Sequence, residues 1–198
     1  MRQFDVIILG AGAAGLMAAI AAGRRGRRVL VLDHAPEAGR KILISGGGRC
    51  NFTNIHTAPD RFFSENRRFC ASALAGFSPR DFLAMVEAHR IAWHEKTLGQ
   101  LFCDGPARAI VAMLLAECAA AGVEIRTLCT ITEVGGGPDF RLDTSAGPFA
   151  AGSLILATGG LSIPKAQFAL AMHAGLKLSI PAAVARTARG EGGRGRMT

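Results

Sequence analysis

Short apolar runs of strand type and longer runs of helix type alternate along the chain. Residues 4–9 (FDVIIL) and 28–32 (RVLVL) are short, apolar and rich in β-branched side chains, which is typical of buried parallel strands. Between them, residues 16–23 (LMAAIAAG) have a helix-forming composition. The order of strand, helix and strand predicts a βαβ unit at the start of the chain.

The rest of the chain continues this alternation. Ser78, Pro79 and Asp81 predict the capped start of a helix over residues 78–90, and Gly122 ends a second helix predicted over residues 107–121. Further strands are predicted at residues 123–126, 130–134, 140–144, 148–150 and 153–157. The pattern favours an α/β, Rossmann-like domain with a parallel sheet and a small antiparallel β hairpin made by residues 140–144 and 148–150.

The segment between the first strand and the first helix reads GAGAAG over residues 10–15. In this context the glycines indicate a dinucleotide-binding turn: Gly10 permits a tight turn, Gly12 lets a pyrophosphate approach the backbone, and Gly15 lets the helix pack near the strand. Asp33 ends the second strand, where its carboxylate would bind ribose hydroxyls and favour FAD or NAD over NADP. The alternative is a nucleotide-free unit whose glycines serve only packing.

A second glycine cluster lies in residues 39–54, GRKILISGGGRCNFTN. Three consecutive glycines predict a loop whose backbone can press against a flat or anionic ligand. The basic and short polar residues of the segment would bind anions, fix a polar ring edge or cap a helix; they are Arg40, Lys41, Ser45, Arg49, Asn51, Thr53 and Asn54. A glycine-rich surface loop without a ligand is the alternative.

Composition and charge indicate an ordered protein with a basic surface. The chain is 49% hydrophobic and carries a formal charge of +8. The arginines at positions 24, 25, 27 and 28 are expected to face the negative end of the first helix dipole. Because the aromatic residues are few and do not interleave with the basic ones, we expect no nucleic-acid partner.

The cysteines and one long uncharged run indicate in which cellular compartment the protein is found. None of the five cysteines forms a CxxC pair, which argues against a zinc site and a redox disulfide, and an odd number suits a reducing cytoplasm. Residues 6–23 lack charge, but their glycines, the preceding Asp5 and the arginines that follow oppose a signal peptide or membrane span. We therefore expect a cytoplasmic protein without a membrane partner or metal.

His89 and His94, the candidate acid–base residues, are expected to be structural.

Three motifs resemble the HI0933-like flavoprotein family, also called aminoacetone oxidase-like, over residues 4–181: GAGAAGLMAA at 10–19, GRKILISGGGRCNFTN at 39–54 and ATGGLSIPK at 157–165. The resemblance implies bound FAD and hydride or electron transfer through the flavin, with NAD(P)H as a candidate electron donor and an unassigned small-molecule substrate. The implied cofactor contacts are Gly10, Gly12, Ala13, Ala14, Gly15, Asp33, His34, Gly39, Arg40, Lys41, Ser45, Gly46, Gly47, Gly48, Arg49, Cys50, Asn51, Ile131, Ala157, Thr158, Gly159 and Gly160. Ile131 rests on the general analogy that a strand at this point of such flavoproteins passes the adenine.

The sequence departs from the family pattern in two places and changes character near its end. Asp33 stands where glutamate is usual, and Cys103, expected to be a small core residue, replaces a usual proline. We expect residues 1–181 to be an incomplete FAD/NAD(P)-binding domain that lacks the C-terminal half of the family fold. Residues 182–198 form an Arg/Gly-rich tail, disordered or read out of frame. A genuine short relative with such a tail is the alternative.

Three functions therefore stay open from the sequence. The first is an FAD-dependent oxidoreductase in truncated form. The second is a catalytically inactive nucleotide-binding fragment, and the third is an RNA-associated flavoprotein. No residue is identified as catalytic.

Overall fold

The structure, a computed structural model, describes residues 1–63, 65–66 and 68–159 and the backbone of Leu178–Ser179. The predicted contact Gly160 and the Arg/Gly-rich tail at residues 182–198 lie outside the described residues. The chain divides into two compact units, one formed by Met1–Glu37 with the residues from Ala121 onward, the other by Ala38–Ala120.

The helices are α1 (Ala13–Gly23), α2 (Arg40–Ile44), α3 (Ala71–Gly76), α4 (Pro79–Ala88) and α5 (Arg108–Ala120). The strands are β1 (Arg2–Leu9), β2 (Val29–Leu32), β3 (Asn51–Asn54), β4 (Trp93–Glu95), β5 (Gln100–Cys103), β6 (Glu124–Arg126), β7 (Ile131–Gly135), β8 (Phe140–Thr144), β9 (Phe149–Leu156) and β10 (Leu178–Ser179). Among the helices of the described part, none is long and apolar enough to cross a membrane.

The first unit is built on one sheet with the strand order β10-β7-β8-β9-β1-β2-β6. Strands β6, β2, β1 and β9 are parallel neighbours, and α1 connects β1 to β2. Strand β8 pairs antiparallel with both β9 and β7. The predicted Rossmann-like sheet with a small antiparallel part is confirmed.

The core of this unit lies on the parallel strands and the antiparallel strands beside them. Ile7, Leu9, Leu30 and Leu32 are completely buried, and Phe149 from β9 packs in the same cluster. The uninterrupted apolar runs of β1 and β2 are thus explained by burial on both faces of the sheet.

Strand β9 differs from its prediction. Residues 148–150 and 153–157 were expected to be two strands, but Phe149–Leu156 is continuous through Gly152. The cause is β1, which pairs with β9 from Arg2 opposite Phe149 to Leu9 opposite Leu156. The second half of the strand is also less buried than its sequence suggests, since Leu156 is 49% exposed.

The second unit contains the three-stranded antiparallel sheet β3-β5-β4 and helices α2 to α5. The predicted cap of α4 is confirmed: Asp81 N donates to Ser78 Oγ at 3.3 Å, and Ser78 N donates to the Asp81 carboxylate at 2.7 Å. These reciprocal bonds satisfy N–H groups that the helix leaves unpaired.

Candidate dinucleotide-binding site

The glycine turn of the first unit begins where β1 ends. Gly10 has φ of +107°, and a Cβ atom there would lie 2.5 Å from the carbonyl oxygen of Ala157. Ala157 N donates to Leu9 O at 2.8 Å, which brings the segment after β9 against the turn. Gly10 is therefore required both by its backbone conformation and by this close approach. The predicted contacts Ala157 and Thr158 lie beside it.

Gly15 serves packing inside the protein. A Cβ atom on Gly15 would lie 1.9 Å from the carbonyl oxygen of Gly10, a distance no side chain can occupy. The absence of a side chain lets α1 pass close to the end of β1, as the sequence predicts.

Gly12 differs from both of these glycines. Its φ is −83°, which any residue adopts, and a Cβ atom there would meet no heavy atom of the described residues within 4 Å. The fold therefore does not need glycine at this position. The space in front of Gly12 is open. A side chain at this position would exclude a bound ligand, but it would not clash with the described part of the chain.

The start of α1 has the properties of an anion site. Ala13 and Ala14 are exposed, the capping residue Gly12 has no side chain, and the first turn contains no acidic residue. The N–H groups of a helix's first turn are unpaired within the helix and lie at the positive end of its dipole. The turn is chemically suited to a phosphate or pyrophosphate group.

Asp33 lies directly after β2 and is tied to the turn. Its Oδ2 accepts a hydrogen bond from Ala11 N at 2.7 Å, and its Oδ1 accepts one from Ala35 N at 2.8 Å. His34 Nδ1 lies 3.4 Å from Asp33 Oδ1. The Asp33 side chain remains 15% exposed, and each carboxylate oxygen can accept a further bond. These residues therefore fit a ribose-binding role without giving up the contacts that shape the turn.

The segment that precedes β7 lies against the segment that follows β2. Cys129 N donates to Asp33 O, and Leu128 N donates to Ala35 O, both at 2.9 Å. Ile131, the predicted adenine contact, has its side chain in the core and pairs with Thr144, so only its backbone is suited to that role.

Leu128 is a candidate that the sequence does not reveal. Its side chain is 70% exposed, and its φ is +52°. An exposed apolar side chain beside Ala35 suits an adenine face. No local sequence pattern marks a leucine for a left-handed backbone, so this position could not have been predicted.

The second unit carries the other predicted contacts. Gly39 starts α2 with φ of +74°, and a Cβ atom there would lie 2.7 Å from Val111 Cγ2, so this glycine serves packing. Arg40 is exposed and Lys41 half-buried on α2, where the sequence had suggested a loop.

The triple glycine forms a left-handed turn, with φ values of +56°, +69° and +85° at Gly46, Gly47 and Gly48. Its base is fixed because Gly48 O accepts from Ala107 N at 2.7 Å and Ser45 O accepts from Cys50 N at 3.1 Å. Gly46 and Gly47 are exposed. The loop thus presents backbone at its surface, as predicted, while its base is pinned to its own unit.

The polar residues after this loop do not cap a helix, contrary to one of the expected roles. Asn51, Thr53 and Asn54 lie on β3, paired with β5, and Asn54 Nδ2 donates to Leu98 O at 2.9 Å. The exposed Arg49 connects the loop to this strand through Cys50. The pairing partner is about fifty residues away, so the local pattern could not show the strand.

Two cysteines of this unit are buried thiols. Burial raises the pKa of Cys50 despite a hydrogen bond with Ser45 that acts in the opposite direction. Burial, with smaller effects from Cys50 and Asp104, raises the pKa of Cys103 to about 11. Cys103 is therefore the unreactive core residue that the sequence predicts.

The two candidate acid–base histidines are each paired with a carboxylate. His89 Nε2 lies 2.6 Å from Glu117 Oε1, and His94 Nδ1 lies 2.7 Å from Asp104 Oδ1. Both pairs belong to the second unit. The structural role expected for both histidines stays a prediction.

The parallel strand order β6-β2-β1-β9, with the glycine turn after β1 and the acidic residue after β2, defines a Rossmann-like domain. The chain belongs to the family of the HI0933-like protein Rossmann domain, which it matches over residues 4–181.

Two curated relatives carry the name ribosomal RNA dihydrouridine synthase. The chain is 50% identical over 165 residues to the one from Escherichia coli (strain K12), covering 83% of this chain and 41% of the relative. It is 44% identical over 170 residues to the one from Haemophilus influenzae, covering 83% and 42%. The chain thus spans about two fifths of the length of these relatives.

A solved structure shares the fold at low identity. Thermovibrio ammonificans THI4 is 15% identical, with a TM-score of 0.52 over 88% of this chain and 64% of that chain. At this identity the likeness concerns the fold alone.

Proposed function

We propose that the first unit binds FAD and that the chain is the dinucleotide-binding part of an FAD-dependent oxidoreductase. The observation that carries the proposal is the open space at Gly12, where the fold itself does not require glycine. Gly12, Ala13 and Ala14 would hold the pyrophosphate, and Asp33 would hold a ribose. Bound FAD would supply hydride transfer, while the protein binds and orients the reacting groups.

The other sequence-predicted contacts are part of the same proposal. In the first unit they are His34, Ile131, Ala157, Thr158 and Gly159, and Leu128 joins them on the strength of its exposure. The segment from Gly39 to Asn51 in the second unit stays a prediction from the family resemblance.

We further propose that the substrate is uridine in ribosomal RNA. The support is the 50% and 44% identity to two ribosomal RNA dihydrouridine synthases. Forming dihydrouridine adds a hydride and a proton across one carbon–carbon double bond of the uracil ring. The hydride would come from NAD(P)H through the flavin, and the proton from solvent or a side chain. Of the alternatives left open by the sequence, we therefore propose the RNA-associated flavoprotein. The expectation that the chain has no nucleic-acid partner is given up.

A cytoplasmic location belongs to this proposal, because ribosomal RNA is found there in bacteria. All five cysteines are free thiols, which agrees with a reducing compartment.

Complementation tests the proposal. The chain is expressed in an Escherichia coli strain that lacks its own ribosomal RNA dihydrouridine synthase, and dihydrouridine in the ribosomal RNA is measured by mass spectrometry. We expect dihydrouridine to return with the natural chain and not with the Gly12→Ala variant. A strain that stays without dihydrouridine, although the chain is folded and abundant, would contradict the proposed activity.

A second function is nucleotide binding without turnover, which the open start of α1 at Gly12 supports by itself. It predicts FAD binding by the purified chain with no dihydrouridine formed. The complementation strain and an FAD titration together separate the two functions.

A further inference from the structure

One loop of the second unit interleaves arginines with phenylalanines, which corrects the expectation that the chain has no such pattern. Residues 61–69 read RFFSENRRF. Arg61, Phe62, Phe63, Arg68 and Phe69 are all exposed, and we call these five residues the Phe–Arg surface. Ser64 and Arg67 lie outside the described residues.

A hydrogen-bonded turn lies at each end of the loop. Arg61 N donates to Ala58 O at 2.9 Å, and Phe69 N donates to Asn66 O at 3.0 Å. Cys70 Sγ lies 4.0 Å from Pro59 O, which joins the two ends of the loop. Compact surface loops with their ends close together are frequently functional. The five residues of the Phe–Arg surface thus belong to one short segment whose two ends lie near each other.

The aromatic side chains of the loop lie outside the core. Phe63 is 100% exposed, Phe69 78% and Phe62 48%. Exposing three phenylalanines on one loop is unfavourable in water, and such surfaces mark interaction sites. Aromatic faces beside arginines are the arrangement on which unpaired bases stack while the cations bind phosphates.

A cavity adjoins this surface. It has a volume of about 560 Å³ and is lined by Asn54, His56, Thr57, Arg61, Phe62 and Leu98. This volume lies in the range of small-molecule sites, about 300–1,000 Å³. The lining combines apolar groups with the polar groups of His56 and Thr57, a combination that suits a nucleobase with its polar edge.

Leu98 has an unusual conformation at this cavity. It is 85% exposed with φ of +59°, and its carbonyl oxygen accepts the hydrogen bond from Asn54 Nδ2. The side-chain amide of Asn54 thus helps to hold an apolar side chain at the rim of the cavity.

We propose that the Phe–Arg surface binds unpaired RNA bases and their phosphates, with the adjoining cavity taking one nucleotide. The inference rests on the proposed function, because ribosomal RNA supplies the partner. The chain's net charge of +8 agrees with a polyanionic partner. Glu65 lies in the loop and Asp60 directly precedes it. These carboxylates favour an RNA that stacks on aromatic faces over an anionic membrane surface.

The test measures the binding of a fluorescently labelled single-stranded oligoribonucleotide to the full chain by anisotropy, without FAD or reductant. Phe63→Ala is expected to weaken binding by about 5- to 150-fold, the effect of losing one stacked base. Phe63→Leu keeps an apolar side chain but loses the aromatic face, so it should also weaken RNA binding. Because Phe63 is fully exposed, neither variant should alter the fold.

The arginines are tested by salt dependence. Arg68→Gln should reduce the slope of log K against log salt by about 0.7, the contribution of one phosphate contact on a single strand. Arg27→Gln removes the same charge from an exposed position of the first unit and should leave the slope unchanged.

Three results would overturn the inference: no RNA binding by the natural chain, natural affinity in Phe63→Ala, or binding to phosphatidylserine vesicles without binding to RNA. The RNA-binding measurement needs neither FAD nor turnover. The RNA-binding inference can therefore fail while the oxidoreductase proposal stands, and the oxidoreductase proposal can fail while RNA binding is observed.

Discussion

The Asp33 carboxylate accepts a hydrogen bond from the backbone N–H of Ala11, with 2.7 Å between Oδ2 and N. The residue that directly follows β2 thereby holds the glycine turn that follows β1. The same carboxylate also accepts the N–H of Ala35, so both of its oxygens shape the candidate site. An acidic residue at this position has a structural role as well as the ribose-binding role that its place in the sequence predicts.

Asp33→Asn should therefore destabilise the protein even without nucleotide. The amide retains one acceptor oxygen, so either Ala11 N or Ala35 N must face an N–H group. We expect a loss of about 1–3 kcal/mol in the free energy of unfolding, the cost of leaving a buried donor unpaired. Urea denaturation measures it, with Asp139→Asn at an exposed position as the control. Equal stability of the Asp33→Asn variant and the natural chain would refute the structural role.

Gly15→Ala should destabilise the fold more strongly. Its Cβ atom would lie 1.9 Å from the backbone oxygen of Gly10, so α1 or the end of β1 must move. Overpacking of this kind costs about 1–3 kcal/mol or more. Gly12→Ala is the matched control and should keep the natural melting temperature, since the added methyl group meets open space. A normal melting temperature in Gly15→Ala would show that the turn is looser than described.

Glu124 on the edge strand β6 should stabilise the fold at neutral pH, and this stabilisation should disappear in acid. Glu124 accepts hydrogen bonds from Arg2 at 3.0 and 2.8 Å and from Arg126 Nε at 2.7 Å. Burial raises the pKa of Glu124, but the hydrogen bonds and charges of Arg126 and Arg2 outweigh burial and lower it. Because the folded pKa lies below the unfolded one, the stabilisation is complete above the ordinary pKa of glutamate and is lost as pH falls through the lowered value.

Glu124→Gln tests this pH dependence. We expect a loss below about 1 kcal/mol at neutral pH, because the pair is partly exposed and screened by solvent. The difference from the natural chain should vanish in acid. Urea denaturation at several pH values measures both stabilities, and a difference that is constant with pH would contradict the ion-pair explanation.

Thiol reactivity should distinguish one cysteine from the rest. Cys50, Cys103, Cys118 and Cys129 are buried, whereas Cys70 is partly exposed. Burial raises the pKa of both Cys103 and Cys118 to about 11, so their reactive thiolate forms are scarce near neutral pH. A thiol reagent should modify one cysteine in the folded chain and all five in urea. Cys70→Ser should abolish the fast reaction; several fast-reacting thiols would contradict the packing of the cores.

The βαβ unit and the packing roles of Gly10 and Gly15 could be predicted because their signals are local. A strand, a turn and a helix follow one another within residues 2–23, and Gly10 and Gly15 act on neighbours in that segment. The open space at Gly12 follows only from the three-dimensional structure, in which no atom of the described residues approaches this position.

Features that depend on distant pairing could not be predicted. Residues 148–150 and 153–157 were predicted as two strands, but pairing with β1 holds them together as the single strand β9. Asn51 and Asn54 lie on strand β3, which the sequence did not predict because its partner β5 is far along the chain. The left-handed backbone conformations of Leu98 and Leu128 could not be predicted, because leucine is not a residue type that favours positive φ.

FAD titration of the natural chain and of Gly12→Ala tests the central claim most directly. We expect the natural chain to bind about one FAD and the variant to bind at least about tenfold more weakly, because the methyl group excludes the pyrophosphate from the helix start. Circular dichroism should show the same fold and melting temperature for both proteins. Equal FAD affinity of two folded proteins, or no FAD binding by the folded natural chain, would contradict the account.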